Sequence, residues 1–413
     1  MKVDTLIKNG MIVTPIGSSP KCGKQMREVK TIGRGYVAVD GGIIVRVNEG
    51  EPVKIEAKTT VDAQGKVITP GLVDPHTHLI HAGSRENEMV WKTRGVSYLD
   101  ILKKGGGILS TVKATRSASD GALISQVLKS LRRMLKYGTT TAEVKSGYGL
   151  NTRQELRLLD LIRGLNSLQP IDLVSTFLGA HALPEEYKKD KQSYVKLVAD
   201  KMLPEVAEQG LAHYCDVFCE EGVFDIDDTR YILGAAKKLG LGLKIHADEM
   251  SPMGGAELAA ELKTVSADHL LSSTDEGLLK MKQAGVIAVV LPITSLYLGE
   301  KFARARDMID MGLAVALATD YNPGSSPTES MQLVMNMAAL KLKMTPEEII
   351  TAATINAACA LGEGETIGTI EDGKAGDLVI FDAPDLSYIP YHLGVNLSNT
   401  VIKRGNIVYK AQE

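Results

Sequence analysis

The chain has 413 residues, enough for a large core and more than one domain, and its 44% apolar and 23% charged residues are ordinary for a soluble globular protein. A formal net charge of −3 gives no general electrostatic reason to expect nucleic acid or a membrane surface as a partner. Cys22, Cys215, Cys219 and Cys359 form neither a CxxC pair nor a dense disulfide framework, so they read as reduced thiols. The start of the chain has no charged region followed by a long apolar core and a cleavage site, and no apolar run is long enough to span a bilayer. A cytoplasmic location is therefore expected.

In chain order, the first seventy residues read as short strands between turns, at 6–7, 36–39, 43–47 and 66–68, with Asp40-Gly41-Gly42 set for a tight hairpin. Eight apolar runs follow, at 71–73, 139–144, 172–177, 215–218, 243–245, 264–267, 286–291 and 313–318. Helical patterns lie between many of them, at 122–137, 152–167, 194–208, 227–239, 274–283 and 303–311. This alternation predicts an α/β fold with a closed, TIM-like (β/α)8 barrel over 71–375. A doubly wound open sheet is the alternative, but its GxGxxG fingerprint is absent after the first strand. Residues 80–119 read as an elaborated first loop, and Lys103-Lys104-Gly105-Gly106-Gly107 within it as a flexible point. The last residues return to strand texture at 378–381 and 401–409, so 1–70 and 376–413 are expected to build one small β-sandwich domain together, with two separate lobes as the alternative.

The sharpest feature is Val73-Asp74-Pro75-His76-Thr77-His78, in a chain with only eight histidines. In a strand, residues i and i+2 point to the same side, so His76 and His78 can meet one ion. His246 ends the fifth candidate strand and Asp320 the eighth. In a closed barrel these strand ends converge with the first at one mouth. His76, His78, His246 and Asp320 are thus the candidate ligands of one divalent metal ion, zinc or ferrous iron. Either His246 or Asp320 alone is as easily a loop residue; the four together at strand ends are what carry the reading.

Hydrolysis also needs a group that moves protons. Glu249, three residues after His246, is the candidate, with Asp248 read as structural. His269, after the sixth strand, suits stabilisation of developing negative charge, with a fifth ligand role as its alternative. Asp268 is a candidate for orienting a ring or a loop. The fourth strand ends Phe218-Cys219-Glu220, without a lysine that could bridge two ions, and Lys145 follows the second strand, in the wrong place for that role. One ion is expected, with Glu220 leaving a second as the alternative.

These segments, with His81-Ala82-Gly83-Ser84-Arg85-Glu86-Asn87-Glu88, Lys145-Ser146-Gly147-Tyr148-Gly149-Leu150, Phe177-Leu178-Gly179-Ala180-His181 and Ala318-Thr319-Asp320-Tyr321-Asn322-Pro323-Gly324-Ser325, resemble those of the metal-dependent amidohydrolase superfamily. The resemblance covers essentially the whole chain. The His-x-His pair identifies only the superfamily, whereas Arg85, Tyr148, His181 and the 320–325 loop point to the branch that acts in histidine degradation. It implies hydrolysis of the cyclic amide C–N bond of 4-imidazolone-5-propanoate to N-formimidoyl-L-glutamate by a homodimer. It also implies metal on His76, His78, His246 and Asp320, with Arg85, Tyr148, His181, Glu249, Asn322, Gly324 and Ser325 around the small-molecule substrate. The planar fork of Arg85 suits the propionate. Tyr98 is a weaker candidate, and His81, His213 and His392 read as loop or structural groups. Two other classes compete. A deaminase acting on a nitrogen heterocycle would use the same water and glutamate but has no carboxylate for Arg85, and a noncatalytic metal-binding barrel has no need of Glu249.

Overall fold

The computed structural model describes residues 1–96, 100 and 105–412. Tyr98, Lys103 and Lys104 lie outside the described residues. Eight parallel strands run in sequence order: Leu72–Asp74, Thr139–Lys145, Asp172–Ala180, Tyr214–Cys219, Gly242–Ala247, Ser266–His269, Ile287–Val290 and Val315–Leu317. The circle closes between the first and the last. Thr77 bridges Tyr321 in parallel, Asp320 N donates to His76 O at 3.1 Å, and His78 N donates to Tyr321 O at 2.9 Å. The Asp74 carboxylate reinforces this seam by accepting from Thr319 N at 3.0 Å and Thr319 Oγ1 at 2.5 Å. The expected closed barrel is therefore formed, and the open sheet is not.

The sixth strand runs Ser266–His269 rather than 264–267, because its ladder with the fifth carries on through His246↔Asp268 and Ala247↔His269. Those polar residues find partners inside the barrel, so hydropathy does not mark them as strand. The third strand extends to Ala180, which leaves His181 directly at its end.

The helices between strands start where the sequence offers caps: Ser119 before Asp120–Lys136, Asn151 before Thr152–Leu165, Asp225 before Ile226–Lys238 and Thr274 before Asp275–Ala284. Their apolar faces, such as Leu123, Val127, Leu131 and Met134, are buried against the barrel. Each such side chain contributes about 1.5–3 kcal/mol. The helix expected over 194–208 is instead Lys191–Leu197 and Leu203–Glu208 joined by a π turn, Val198–Met202. Pro204 has no N–H to donate back along the helix, and the wider turn accommodates the missing bond. Among the described residues, the elaborated first loop contains the helices Glu86–Thr93 and Ile108–Ser117.

The second domain is one eight-stranded mixed sheet, Lys2–Thr14, Lys30–Asp40, Ile43–Glu49, Glu56–Asp62 and Val67–Pro70 with Leu378–Phe381, Ser398–Lys403 and Asn406–Lys410, forming the expected β-sandwich. The two ends of the chain meet where Leu378–Phe381 pairs antiparallel with Val67–Pro70. Gly41 and Gly42 turn the predicted hairpin at φ +56° and +83°, conformations that glycine adopts without steric cost.

Candidate active site

His76 and His78 lie just past the first strand, on either side of the bridging residue Thr77, so their side chains share the barrel mouth. His78 Nε2 is 3.3 Å from His76 Nε2 and 3.4 Å from His246 Nε2. Asp320 Oδ1 is 3.5 Å from His76 Nε2 and 3.3 Å from His78 Nε2. A tetrahedral ion with donors about 2.0–2.1 Å away would separate neighbouring donors by about 3.4 Å. A single ring N–H can satisfy only one of these nitrogen contacts. The donor set therefore fits a bound metal better than a hydrogen-bonded cluster. Burial, with Lys145 next for His76 and His246 next for His78, holds both rings well below the usual imidazole range, so they offer lone pairs.

Two carboxylates set the ring orientations. His76 Nδ1 is 2.6 Å from Asp268 Oδ2, and His246 Nδ1 is 3.0 Å from Asp216 Oδ2, which turns each Nε2 to the shared centre. Asp268 thus touches a ring, the role its place in the sequence suggested. His269 ends its strand at φ +76°, joins the His76 and His246 cluster and places Nδ1 3.5 Å from Glu249 Oε1. Burial pulls its pKa down to about 3.

Glu249 stands on a loop pinned on both sides. Asp248, at φ +50°, accepts from Gly255 N at 2.9 Å, Ala256 N at 3.1 Å and Ser273 Oγ at 2.9 Å. Glu220 accepts from Met250 N at 2.9 Å, Ser251 N at 3.1 Å and the Ser251 hydroxyl. Glu220 therefore anchors the loop that carries Glu249. The Glu249 carboxyl lines the cavity, and burial together with the Asp320 charge pushes its pKa up to about 8 in the metal-free protein.

The cavity over the donors has a volume of about 150 Å³ and is lined among others by Arg85, Tyr148, His181, Asn322 and Ser325. Arg85 gives Nε to Glu88 Oε1 at 2.8 Å and Nη2 to Glu88 Oε2 at 2.9 Å, leaving its outer edge for a ligand. Gly324 borders that guanidinium so closely that a Cβ there would lie 2.0 Å from Arg85 Nη1. Its N–H is used by Asn322 Oδ1 at 2.8 Å. The Asn322 amide is consumed within its own loop, donating to Asp320 O at 2.7 Å and Ser325 Oγ at 3.0 Å. Tyr148 rides on a loop whose Gly147, Gly149 and Leu150 N–H groups all donate to the buried Glu155 carboxylate at 2.7–3.0 Å. His181 stacks on His78 at 4.7 Å and donates from Nδ1 to Gly147 O at 3.0 Å, which leaves Nε2 as an acceptor. His81 is buried at the edge of the site with Nδ1 3.2 Å from His78 O, while His213 and His392 make local contacts with Ser175 and Tyr388.

Sequence reasoning missed Glu143, Asp216 and Lys244, and dismissed Lys145. All four are fully buried inside the barrel below the donors. Their signal is a charge within an otherwise apolar strand run, with Glu143 and Lys145, or Lys244 and His246, two residues apart on the inward face.

A closed parallel barrel whose mouth gathers three histidines, an aspartate and a neighbouring glutamate is that of a metal-dependent hydrolase. The chain belongs to the amidohydrolase family, whose profile matches residues 67–410. It is 54% identical over 410 residues to the imidazolonepropionase of Caldanaerobacter subterraneus subsp. tengcongensis, covering 99% of each chain. It is 51% identical over 410 residues to that of Bacillus velezensis, covering 98% of this chain and 97% of the relative. Among solved structures, 5-methylcytosine deaminase from Klebsiella pneumoniae superposes with a TM-score of 0.76 at 16% identity, covering 99% of this chain and 98% of that one. A zinc-bound adenosine deaminase from Xanthomonas campestris gives 0.72 at 20%, covering 99% and 93%. At these identities the solved structures share the fold alone.

Proposed function

We propose that this protein hydrolyses the cyclic amide C–N bond of 4-imidazolone-5-propanoate to N-formimidoyl-L-glutamate, in histidine degradation. The observation that carries the reading is one cavity lined by His78, His246, Asp320, Glu249 and Arg85, with His76 Nε2 against the donors of His78 and Asp320. His76, His78, His246 and Asp320 would hold a dication, which would supply Lewis acidity toward water and the ring carbonyl. Glu249 takes a proton from the attacking water and returns it to the departing ring nitrogen. The water oxygen joins the carbonyl carbon as the C–N bond breaks, and both protons of the water remain in the product and its acid–base partners. His269, kept neutral by burial, donates an N–H to the developing oxyanion. The outer edge of Arg85 takes the propionate, His181 Nε2 accepts from a ring N–H, and Tyr148 closes the cavity wall. Asn322, Gly324 and Ser325 shape the loop against which Arg85 and the substrate lie.

We read the metal as a single Zn²⁺ or Fe²⁺. We read the domains as 1–70 with 376–413 and 71–375, the assembly as a homodimer and the location as the cytoplasm.

The test offers freshly prepared imidazolone propionate to metal-loaded protein and detects formimidoyl glutamate. Turnover of an aminated ring with none of the imidazolone would replace this reading by the deaminase alternative. Elemental analysis decides zinc or iron and one ion or two, and sedimentation velocity decides the dimer.

A further inference from the structure

We infer that Lys145, buried below the cavity, is a positioning residue that aims two metal-binding histidines at once; the inference rests on the metal site read above. Its Nζ is 2.7 Å from Asp216 Oδ2, 2.8 Å from Glu143 Oε2 and 3.8 Å from Asp268 Oδ2, and all four side chains are fully buried. The same Asp216 oxygen lies 3.0 Å from His246 Nδ1, and the same Asp268 oxygen lies 2.6 Å from His76 Nδ1. One ammonium thus stands between two carboxylate–histidine pairs that come from different strands. Without it, the two carboxylates repel each other in a setting where little water screens them, and each is free to swing off its ring. Asp268 has a second anchor, whereas Asp216 has only the lysine and the His246 ring among the described residues. Ser266 Oγ donates to Asp268 Oδ1 at 2.7 Å and limits that side, so the His246 side depends on Lys145 more.

Lys244 completes the arrangement from the far side. Its Nζ is 2.9 Å from Glu143 Oε1 and donates to Pro75 O at 2.8 Å, the carbonyl just before His76. Glu143 thereby joins the two lysines and is held further by Thr176 Oγ1 at 2.5 Å. Burying this many charges is a poor route to stability, because the desolvation cost offsets much of the attraction. Holding ligand rings in one tautomer and one orientation is a use that explains their presence, and loss of such support typically weakens metal binding by roughly 10–100-fold.

The experiment compares the parent with Lys145→Met and with the pair Glu143→Gln/Lys145→Gln. The pair keeps the buried net charge of the parent, so it tests the role without leaving an unbalanced buried charge. Zinc affinity is measured by competition with a chromophoric chelator, and kcat and KM are measured at limiting and at saturating zinc. The expected result is affinity weakened by roughly 10–100-fold, with KM unchanged and kcat recovered in part by excess zinc. Folded variants with parental zinc affinity overturn the positioning role. Loss of the fold in both variants also overturns it, by making Lys145 a folding residue. A parent that binds neither zinc nor iron instead refutes the metal site itself, which separates the two failures.

Discussion

Replacing Gly324 by alanine should damage substrate binding by displacing Arg85, without removing any side chain from the site. The new Cβ would lie 2.0 Å from Arg85 Nη1 and 2.5 Å from Arg85 Cζ. Ordinary carbon contacts are near 3.5 Å, so the guanidinium must retreat by about 1.5 Å. A free arginine would do so at little cost. Arg85 is not free, since two hydrogen bonds of 2.8 and 2.9 Å tie it to Glu88, and Glu88 also accepts from Gly107 N at 2.7 Å. The retreat breaks at least one charge-assisted bond, about 1.5–3 kcal/mol, which converts to roughly 10–100-fold. The assay is steady-state turnover of imidazolone propionate by Gly324→Ala, with metal content and melting temperature measured alongside. A rise in KM dominates the expected loss of kcat/KM, because the guanidinium binds the propionate rather than the reacting amide. A variant with parental KM and full metal content would refute the reasoning, since it would mean that Arg85 either moves freely or does not hold the carboxylate.

Arg85→Ala should raise KM by roughly 10–100-fold with a smaller change in kcat, and an unchanged substrate dependence rejects the carboxylate clamp. Glu249→Gln should lower kcat by about 10²–10⁴ while metal stays bound, and near-normal turnover rules out its proton-transfer role. Burial and the Asp320 charge hold the Glu249 carboxyl protonated up to about 8 in the metal-free protein, so a dication binding beside it should expel a proton at pH 7. Calorimetry in buffers of different ionisation enthalpy reads that proton, and Glu249→Gln should abolish it. The same raised carboxyl contributes stability that is present below its ordinary 4.5 and lost as the pH rises through about 8. Metal-free Glu249→Gln should therefore melt above the metal-free parent at pH 9; equal melting temperatures contradict this. Glu220→Ala leaves the Met250 and Ser251 donors without their acceptor and should lower kcat at full metal occupancy, a result checked by turnover and elemental analysis.

The barrel was legible because its strands are apolar runs separated by helical patterns, and strand order in a parallel barrel follows chain order. The clustering of the candidate metal donors was legible for a related reason. His76 and His78 sit two apart at a strand end, and His246 and Asp320 end other apolar runs, so period and fold class alone bring them to one mouth. Glu249 followed from its distance to His246. The joining of the two termini was only suggested by texture, and the pairing of Leu378–Phe381 with Val67–Pro70 decides it.

What lay beyond the sequence is of another kind. No local pattern says that Glu220 is spent on Met250 and Ser251, that the Asn322 amide is consumed in its own loop, or that Gly324 exists to leave room for Arg85. Nor does it say that Lys145, on the second strand, reaches carboxylates on the fourth and sixth. These are contacts between residues far apart in the chain, and they depend on side-chain directions inside a closed barrel. The sequence by itself determined which chemical groups are present and, through the period of its strands, which end of the barrel they share. The tertiary structure decided which of those groups are already satisfied by one another, because only folded geometry sets the distances over which charges and hydrogen bonds act.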